Sequence, residues 1–189
     1  PHDEFQKIGG RTHGFQIWVN LPAEHKMMAP RYQEIPASES PTVESEGVWA
    51  RVIAGECMGV TSSIDTVIPI MLIHVKMEAG AKLNQNIDSL LNSMIYVFSG
   101  KVTVFNETRI KTRPQSLGLG VNQQIRDGEL AVLSEGPEVE IRSNMESELL
   151  ILAGPELNEP ISRYGPFVMN TREEIEQAFL DYQNGTFAN

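Results

Sequence analysis

Short apolar segments recur along most of the sequence, each bounded by Gly, Pro, Asn or Asp, and their spacing constrains the fold strongly. Segments with strand character lie at 48–54, 70–77, 93–105, 130–133, 139–143 and 148–153. Many short strands at intervals of about 8–12 residues are typical of antiparallel sandwiches and barrels. We therefore predict an all-β protein in which residues from about 44 to 170 form a closed antiparallel barrel.

The segment 93–105 consists of two β-branched apolar runs on either side of Ser99 and Gly100, which indicates a β-hairpin. Because strand side chains alternate between faces, two sets of residues should point in opposite directions. The predicted sets are Tyr96, Phe98, Val102 and Val104 on one face and Val97, Ser99 and Thr103 on the other.

The ends of the sequence differ from this pattern. Residues 14–21 are apolar and β-prone, which predicts a further strand, and a polar, Pro-rich connector with a short helical turn near 23–28 follows. At the other end, Thr171 and Glu174 have capping-box spacing, and Gly185 is a typical helix stop. The apolar stripe of this helix consists of Ile175, Ala178, Phe179 and Tyr182. We expect the helix to pack over an exposed sheet.

Charge and hydropathy exclude several classes of function. Fifteen Lys and Arg oppose 25 Asp and Glu, and the net charge of −10 disfavours broad attraction to nucleic acid or anionic lipid. The longest uncharged apolar run, 67–73, is interrupted by Pro69 and is far shorter than the ~20 residues that span a bilayer. The first four residues, Pro-His-Asp-Glu, do not resemble a secretion signal. We therefore expect a cytoplasmic protein, present also in the nucleus if the source is a eukaryote.

Five motifs carry a resemblance to a known family. They are HGFQIWVNLP at 13–22, KMMAPRYQ at 26–33, VIAGE with Gly59 at 52–59, GPELNEP at 154–160 and GPFVMNT at 165–171. The sequence resembles the pirins over nearly its whole length. This resemblance implies a bicupin, with two antiparallel β-barrels in one chain: the first holds a mononuclear metal, usually Fe(II), and the second holds none.

The position of the first motif implies that this chain has only a remnant of the first barrel. Pirins carry that motif near the middle of a longer chain. The predicted domains are thus a remnant and connector at 1–36, the C-terminal cupin barrel at 37–170 and the helix at 171–189. The metal ligands of the family are an upstream His-x-His and a His-x-Glu usually followed by Met-Pro, and Pro1 fits the proline of that motif. In the alternative alignment, His2 and Glu4 are themselves the His-x-Glu pair, although two ligands alone would bind iron weakly.

The cupin metal motif can be laid without gaps from Gly80 to Gly100, but its ligands are replaced. Its two His positions fall on Asn86 and Asp88, and its Glu position falls on Ser93. Asn and Ser are poor ligands for Fe(II), and residues 128–145 contain no His. We therefore expect no metal, no cofactor and no catalytic residue in this chain.

The remaining reactive residues have structural interpretations. We expect His74 to be a strand histidine, His25 to face solvent, His13 to be no ligand, and Cys57 to be a buried structural thiol. The densest basic group, Arg109, Lys111 and Arg113, should form a solvated face.

Two functions follow from the resemblance. The full-length protein would be a metal-dependent quercetin 2,3-dioxygenase acting on a flavonol, with this chain as its inactive non-metal part. Alternatively, it would be a redox-responsive transcription cofactor that binds a protein partner. A fragment without chemistry is a third hypothesis. The apolar segment at 11–22 also predicts either self-association or local disorder there, because an unpaired strand edge pairs readily with another chain.

Overall fold

The computed structural model describes residues 7–10, 12–105, 122–134 and 136–187. Residues 7 and 8 are helical, and the two helices with both ends in these ranges are α1 (Ala23–Lys26) and α2 (Arg172–Asn184). The same ranges contain fourteen strands. The strands are β1 (Thr42–Ser45), β2 (Val48–Ala54), β3 (Glu56–Cys57), β4 (Val60–Thr61), β5 (Met71–Met77), β6 (Lys82–Asn86), β7 (Leu91–Ser99), β8 (Lys101–Phe105), β9 (Asn122–Arg126), β10 (Leu130–Val132), β11 (Glu138–Ser143), β12 (Ser147–Pro155), β13 (Ser162–Tyr164) and β14 (Phe167–Met169).

Two antiparallel sheets enclose the main core. The larger has six strands in the order β1-β2-β5-β12-β7-β10, and the smaller has four in the order β6-β11-β8-β9. Alternate residues of β2 are fully buried, as the period of a strand with one core face requires. The core between the sheets is aliphatic, with Ile73, Ile95, Ile141, Leu149 and Ile151 among its fully buried members. The all-β prediction is confirmed.

The segment predicted to be a hairpin is a corner between the two sheets. β7 pairs with β12 and β10, whereas β8 pairs with β11 and β9, so the chain changes sheets at Gly100. The face assignment was therefore wrong. The inward residues are Ile95, Val97, Val102 and Val104, while Tyr96 and Phe98 face outwards. The sequence pattern predicted the two strands β7 and β8 correctly. Their pairing partners were not predicted, because pairing depends on long-range contacts.

A second, smaller core lies outside the barrel. The hairpin β13–β14 packs against α2, and Phe167, Met169, Ile175 and Ala178 are buried between them. The helix begins at Thr171, whose side chain accepts a hydrogen bond from the Glu174 backbone in a complete capping box. It ends at Gly185 in the left-handed conformation. Both predicted ends are confirmed, but Tyr182 of the predicted stripe is exposed.

Residues 12–22 form no strand, contrary to the prediction for 14–21. This segment lies instead over the outer face of the six-stranded sheet, where the ring of Phe15 contacts those of Tyr96 and Phe98. The ring of His13 also lies 5.7 Å from that of Phe98. Its β-prone residues are held by side-chain contacts, because strand propensity needs a neighbouring strand to become a ladder.

Candidate functional site

The barrel interior is the first place to look for a site, and its polar side chains differ from those predicted. In β6 the burial alternates so that Leu83 and Gln85 face inwards while Asn86 faces solvent. Asp88 is also exposed, and its carboxylate accepts a hydrogen bond from the Leu90 backbone. The predicted frame is one residue out of register on this strand. The inward positions belong to Gln85 and Ile87.

These inward residues do not fit an iron ion. Gln85 donates from Nε2 to the backbone oxygens of Glu56 and Asn86, at 2.9 and 2.7 Å. Its Oε1 is buried and has no hydrogen-bond partner among the described residues. Val139 lies opposite Gln85 on β11, and the third predicted position, Ser93, is buried. An amide, a hydroxyl and aliphatic side chains lack the imidazole and carboxylate donors that Fe(II) prefers. In the described ranges, no cluster of three or more His, Cys, Asp or Glu could hold a metal.

His74 lies on the outer face of the six-stranded sheet, half-buried between the rings of Trp49 and Phe98. Its Nε2 is 3.1 Å from Oε2 of Glu148. Burial lowers the pKa of His74 below its ordinary value, and the hydrogen bond and charge of Glu148 oppose this shift. His74 is therefore a strand histidine, as predicted.

His25 and Cys57, two other described residues with possible reactivity, have ordinary structural positions. The ring of His25 is about half exposed beside Glu24. Cys57 is fully buried, and burial, with a smaller contribution from the charge of Glu56, raises its pKa to about 11. It is a structural thiol, as predicted. His2, Glu4, Arg109, Lys111 and Arg113 lie outside the described residues.

Two polar contacts fasten the N-terminal connector to the barrel. Glu159 Oε2 accepts hydrogen bonds from the backbone of Ala23 and from Nδ2 of Asn170, both at 2.8 Å. Further along, Arg31 donates to the carboxylate and backbone oxygens of Asp65 at 2.6 and 2.8 Å. These contacts hold the connector against the barrel, leaving grooves on either side of residues 19–26.

The first groove, called here the aromatic groove, lies between the N-terminal segment and the second core. Its cavity volume is about 650 Å³. The residues that define it are Trp18, Ile161, Phe167, Tyr182 and Phe187. Trp18 is 62% exposed and Tyr182 is 68% exposed. A contiguous apolar surface of this kind is typical of a binding interface.

The second groove, called here the aliphatic groove, lies between the connector and the loop that precedes β5. Its cavity volume is about 430 Å³, and Leu21, Met28, Val67, Ile68 and Ile70 contribute its apolar wall. Lys26 lines both grooves and donates from Nζ to Oδ1 of Asn20 at 2.5 Å. Sequence reasoning missed both grooves, although the exposed Met27, Met28 and Tyr32 in a polar connector were a signal.

The family described as the Pirin C-terminal cupin domain matches residues 72–188. This chain belongs to the pirin family. It is 38% identical over 175 residues to human pirin, an alignment that covers 92% of this chain and 56% of the relative. It is 34% identical over 186 residues to a pirin-like protein of Solanum lycopersicum, covering 97% and 60% of the two chains. The chain thus spans little more than half the length of these pirins.

Among solved structures, this pirin chain resembles a quercetin 2,3-dioxygenase from Acinetobacter baumannii. The TM-score is 0.76 at 33% identity, and the match covers 91% of this chain and 56% of that one. Its two facing sheets and C-terminal helix are the cupin fold of pirins, which confirms the predicted family and fold class. No helix in the described ranges has the length and apolar character to cross a bilayer.

Proposed function

We propose that this chain is the non-metal, partner-binding barrel of a pirin whose whole form opens a flavonol such as quercetin at a metal in its other barrel. The flavonol substrate, the metal and the second, metal-bearing barrel are all parts of what we propose. The name of the Acinetobacter baumannii protein supports the substrate class, and the shared family supports the division of labour between two barrels.

One contrast in the structure carries this proposal. Inside the barrel, the core is mainly aliphatic, and the buried amide of Gln85 donates to two backbone oxygens. Outside it, Trp18 and Tyr182 border an apolar groove to which the described residues supply no cover. A packed interior together with an open aromatic surface favours a role in docking over a role in chemistry.

Oxygen consumption with quercetin tests the assignment of activity. The 189-residue chain supplied with Fe(II) should consume no oxygen, whereas a form extended at its N-terminus to the length of human pirin should show metal-dependent consumption. Metal-dependent turnover by the 189-residue chain alone would contradict the proposal. Inactivity of the metal-loaded extended form would remove the dioxygenase assignment.

Docking can be tested separately with a metal-bearing pirin barrel produced on its own. Replacing Trp18 with Ala should weaken its binding to this chain at least tenfold, because exposed aromatic residues dominate interface energies. Leu90→Ala is the matched control, since Leu90 is exposed but lines neither groove. Equal binding by the two variants would show that the aromatic groove is not the docking surface.

A protein-binding cofactor is the second candidate, and the composition of the aromatic groove favours it. Arg163 and Tyr182 both line this groove, and Arg and Tyr are enriched at protein interfaces. The extended form would then lack oxygenase activity while the groove still bound a protein. Redox dependence of that binding would have to arise outside this barrel, because Cys57 is buried and its thiol is protonated at neutral pH.

A further inference from the structure

Lys26 lies where the two grooves meet, and its surroundings are mainly apolar. We propose that the aliphatic groove binds a straight-chain carboxylate, with the carboxylate on the Lys26 ammonium and the chain along Leu21, Met28, Val67, Ile68 and Ile70. This site does not depend on the proposed dioxygenase function, because the groove is formed by the connector and the loop before β5.

The charge of Lys26 is the first argument. Its side chain is half-buried, and its one hydrogen bond within the described residues goes to the neutral amide oxygen of Asn20. No carboxylate in the described ranges lies within 4 Å of its ammonium group. A partly buried ammonium with three donors is stabilised by an anionic partner.

The neighbouring cation does not compete for the ligand. Arg31 also lines the aliphatic groove, but Asp65 takes a hydrogen bond from its guanidinium on the carboxylate and another on the backbone oxygen. Its charge is therefore compensated inside the chain. Lys26 is left as the anion-binding group at the boundary of the two grooves.

The shape and chemistry of the wall select the apolar part of the ligand. The groove has a volume of about 430 Å³, and its apolar lining is aliphatic and sulfur-bearing without an aromatic ring. Besides Lys26 and the Arg31–Asp65 pair, its polar lining residues are Gln33 and Thr66. Unbranched and branched aliphatic surfaces pack well against a flexible methylene chain, whereas flat ring systems gain from aromatic partners. Aromatic partners are found in the adjacent aromatic groove, so the two grooves differ in preference.

Calorimetric titration with decanoate, kept below its micelle-forming concentration, tests the proposal. Decanoate should bind one site per chain, and decan-1-ol should bind at least tenfold more weakly, because a charge-assisted hydrogen bond is lost. Octanoate should bind roughly fifteenfold more weakly than decanoate, since it lacks two methylenes and each buried methylene contributes about a fourfold change in affinity.

Three variants separate the charge from the groove. Lys26→Met should weaken decanoate binding at least tenfold without weakening that of decan-1-ol, and Lys26→Arg should retain most of the affinity. Lys76→Met removes a lysine on the outer face of β5, away from both grooves, and should bind like the parent chain. Ile68→Asp should abolish binding of both ligands. Thermal unfolding and circular dichroism establish that each variant is folded.

Several results would overturn the site. One is equal affinity for decanoate and decan-1-ol in the parent chain, which would remove the role of the ammonium. A second is unchanged decanoate binding by Lys26→Met in a folded variant. A third is retention of binding by Ile68→Asp, which would place the ligand elsewhere.

Discussion

His74 is half-buried between two aromatic rings on the outer face of the six-stranded sheet. Arg51 and Lys76 face it as cations, and Glu148 faces it as an anion. Burial has the largest effect and lowers the pKa of the ring, so the folded protein holds His74 neutral more strongly than the unfolded chain does.

This shift predicts a loss of stability in mild acid. The folded pKa of His74 lies below its ordinary value of 6.5, so between these values the unfolded chain binds a proton that the folded protein does not. The stability that the protein gains by burying neutral His74 is fully present above pH 6.5 and decreases as the pH falls below 6.5. His74→Gln should therefore flatten the decrease in urea midpoint between pH 7.5 and 5.5.

His25→Gln is the control for this prediction, because His25 lies in the connector with its ring about half exposed. It should retain the pH dependence of the parent chain. An unchanged profile for His74→Gln, measured by the same urea titrations, would show that burial of this ring does not govern acid stability.

At the corner between β7 and β8, the chain passes from one sheet to the other. Gly100 has a φ of +81°, and a Cβ there would lie 2.4 Å from the backbone oxygen of Glu146 and from Oγ of Ser147. Ser147 is buried and also accepts a hydrogen bond from the Lys101 backbone at 3.0 Å. The corner therefore needs glycine for two reasons, its conformation and its close approach to the chain before β12.

Gly100→Ala should lower the free energy of unfolding by about 3 kcal/mol, which combines left-handed strain with overpacking. Gly128→Ala is a matched control, because Gly128 has a φ of +78° but nothing within 4 Å of the added Cβ. It should cost only about 1 kcal/mol. Equal losses in denaturant unfolding would show that the close approach at Gly100 relaxes freely.

Local patterns predicted the elements whose determinants are local. The alternation in β2 and the capping box of α2 lie within a few residues, and both are confirmed. The corner at Gly100 was missed because β7 and β8 find their partners far along the chain. The inward position of Gln85 was missed because a slip of one residue reverses the face of every side chain on a strand. The grooves join segments more than thirty residues apart, as Arg31 and Asp65 illustrate.

At the scale of the whole molecule, the segment 12–22 lies against both the barrel and the second core. The barrel core is aliphatic, while the second core contains the ring contact between Phe167 and Phe179 at 4.9 Å. The segment 12–22 contacts the barrel through Phe15 and borders the aromatic groove through Trp18. Ile17, Trp18 and Val19 are exposed, so we predict that this region governs association.

We predict that the chain self-associates through the exposed apolar surface of Ile17 and Trp18, which are 38% and 62% exposed. Replacing both residues with Lys should abolish this association. Sedimentation velocity across a concentration series measures the effect. The melting temperature of the barrel should change little, since neither residue belongs to its core.

Leu90→Lys is the control, as it places the same charge on an exposed apolar residue that lines neither groove. It should associate like the parent chain. A parent chain that remains monomeric at high concentration would contradict the prediction.

The buried thiol has a practical consequence for watching the segment 12–22 in solution. Cys57 is the sole cysteine of the sequence, and a thiol with a pKa of about 11 presents almost no thiolate at neutral pH. Maleimide dyes should thus leave the folded protein unmodified without any cysteine being removed. A double variant with Trp18→Cys and Leu90→Cys could then be labelled with a donor and an acceptor dye. Fluorescence energy transfer between them would report the distance from the segment 12–22 to the barrel. Labelling experiments of this kind normally require the native cysteines to be removed first, and this protein does not need that step.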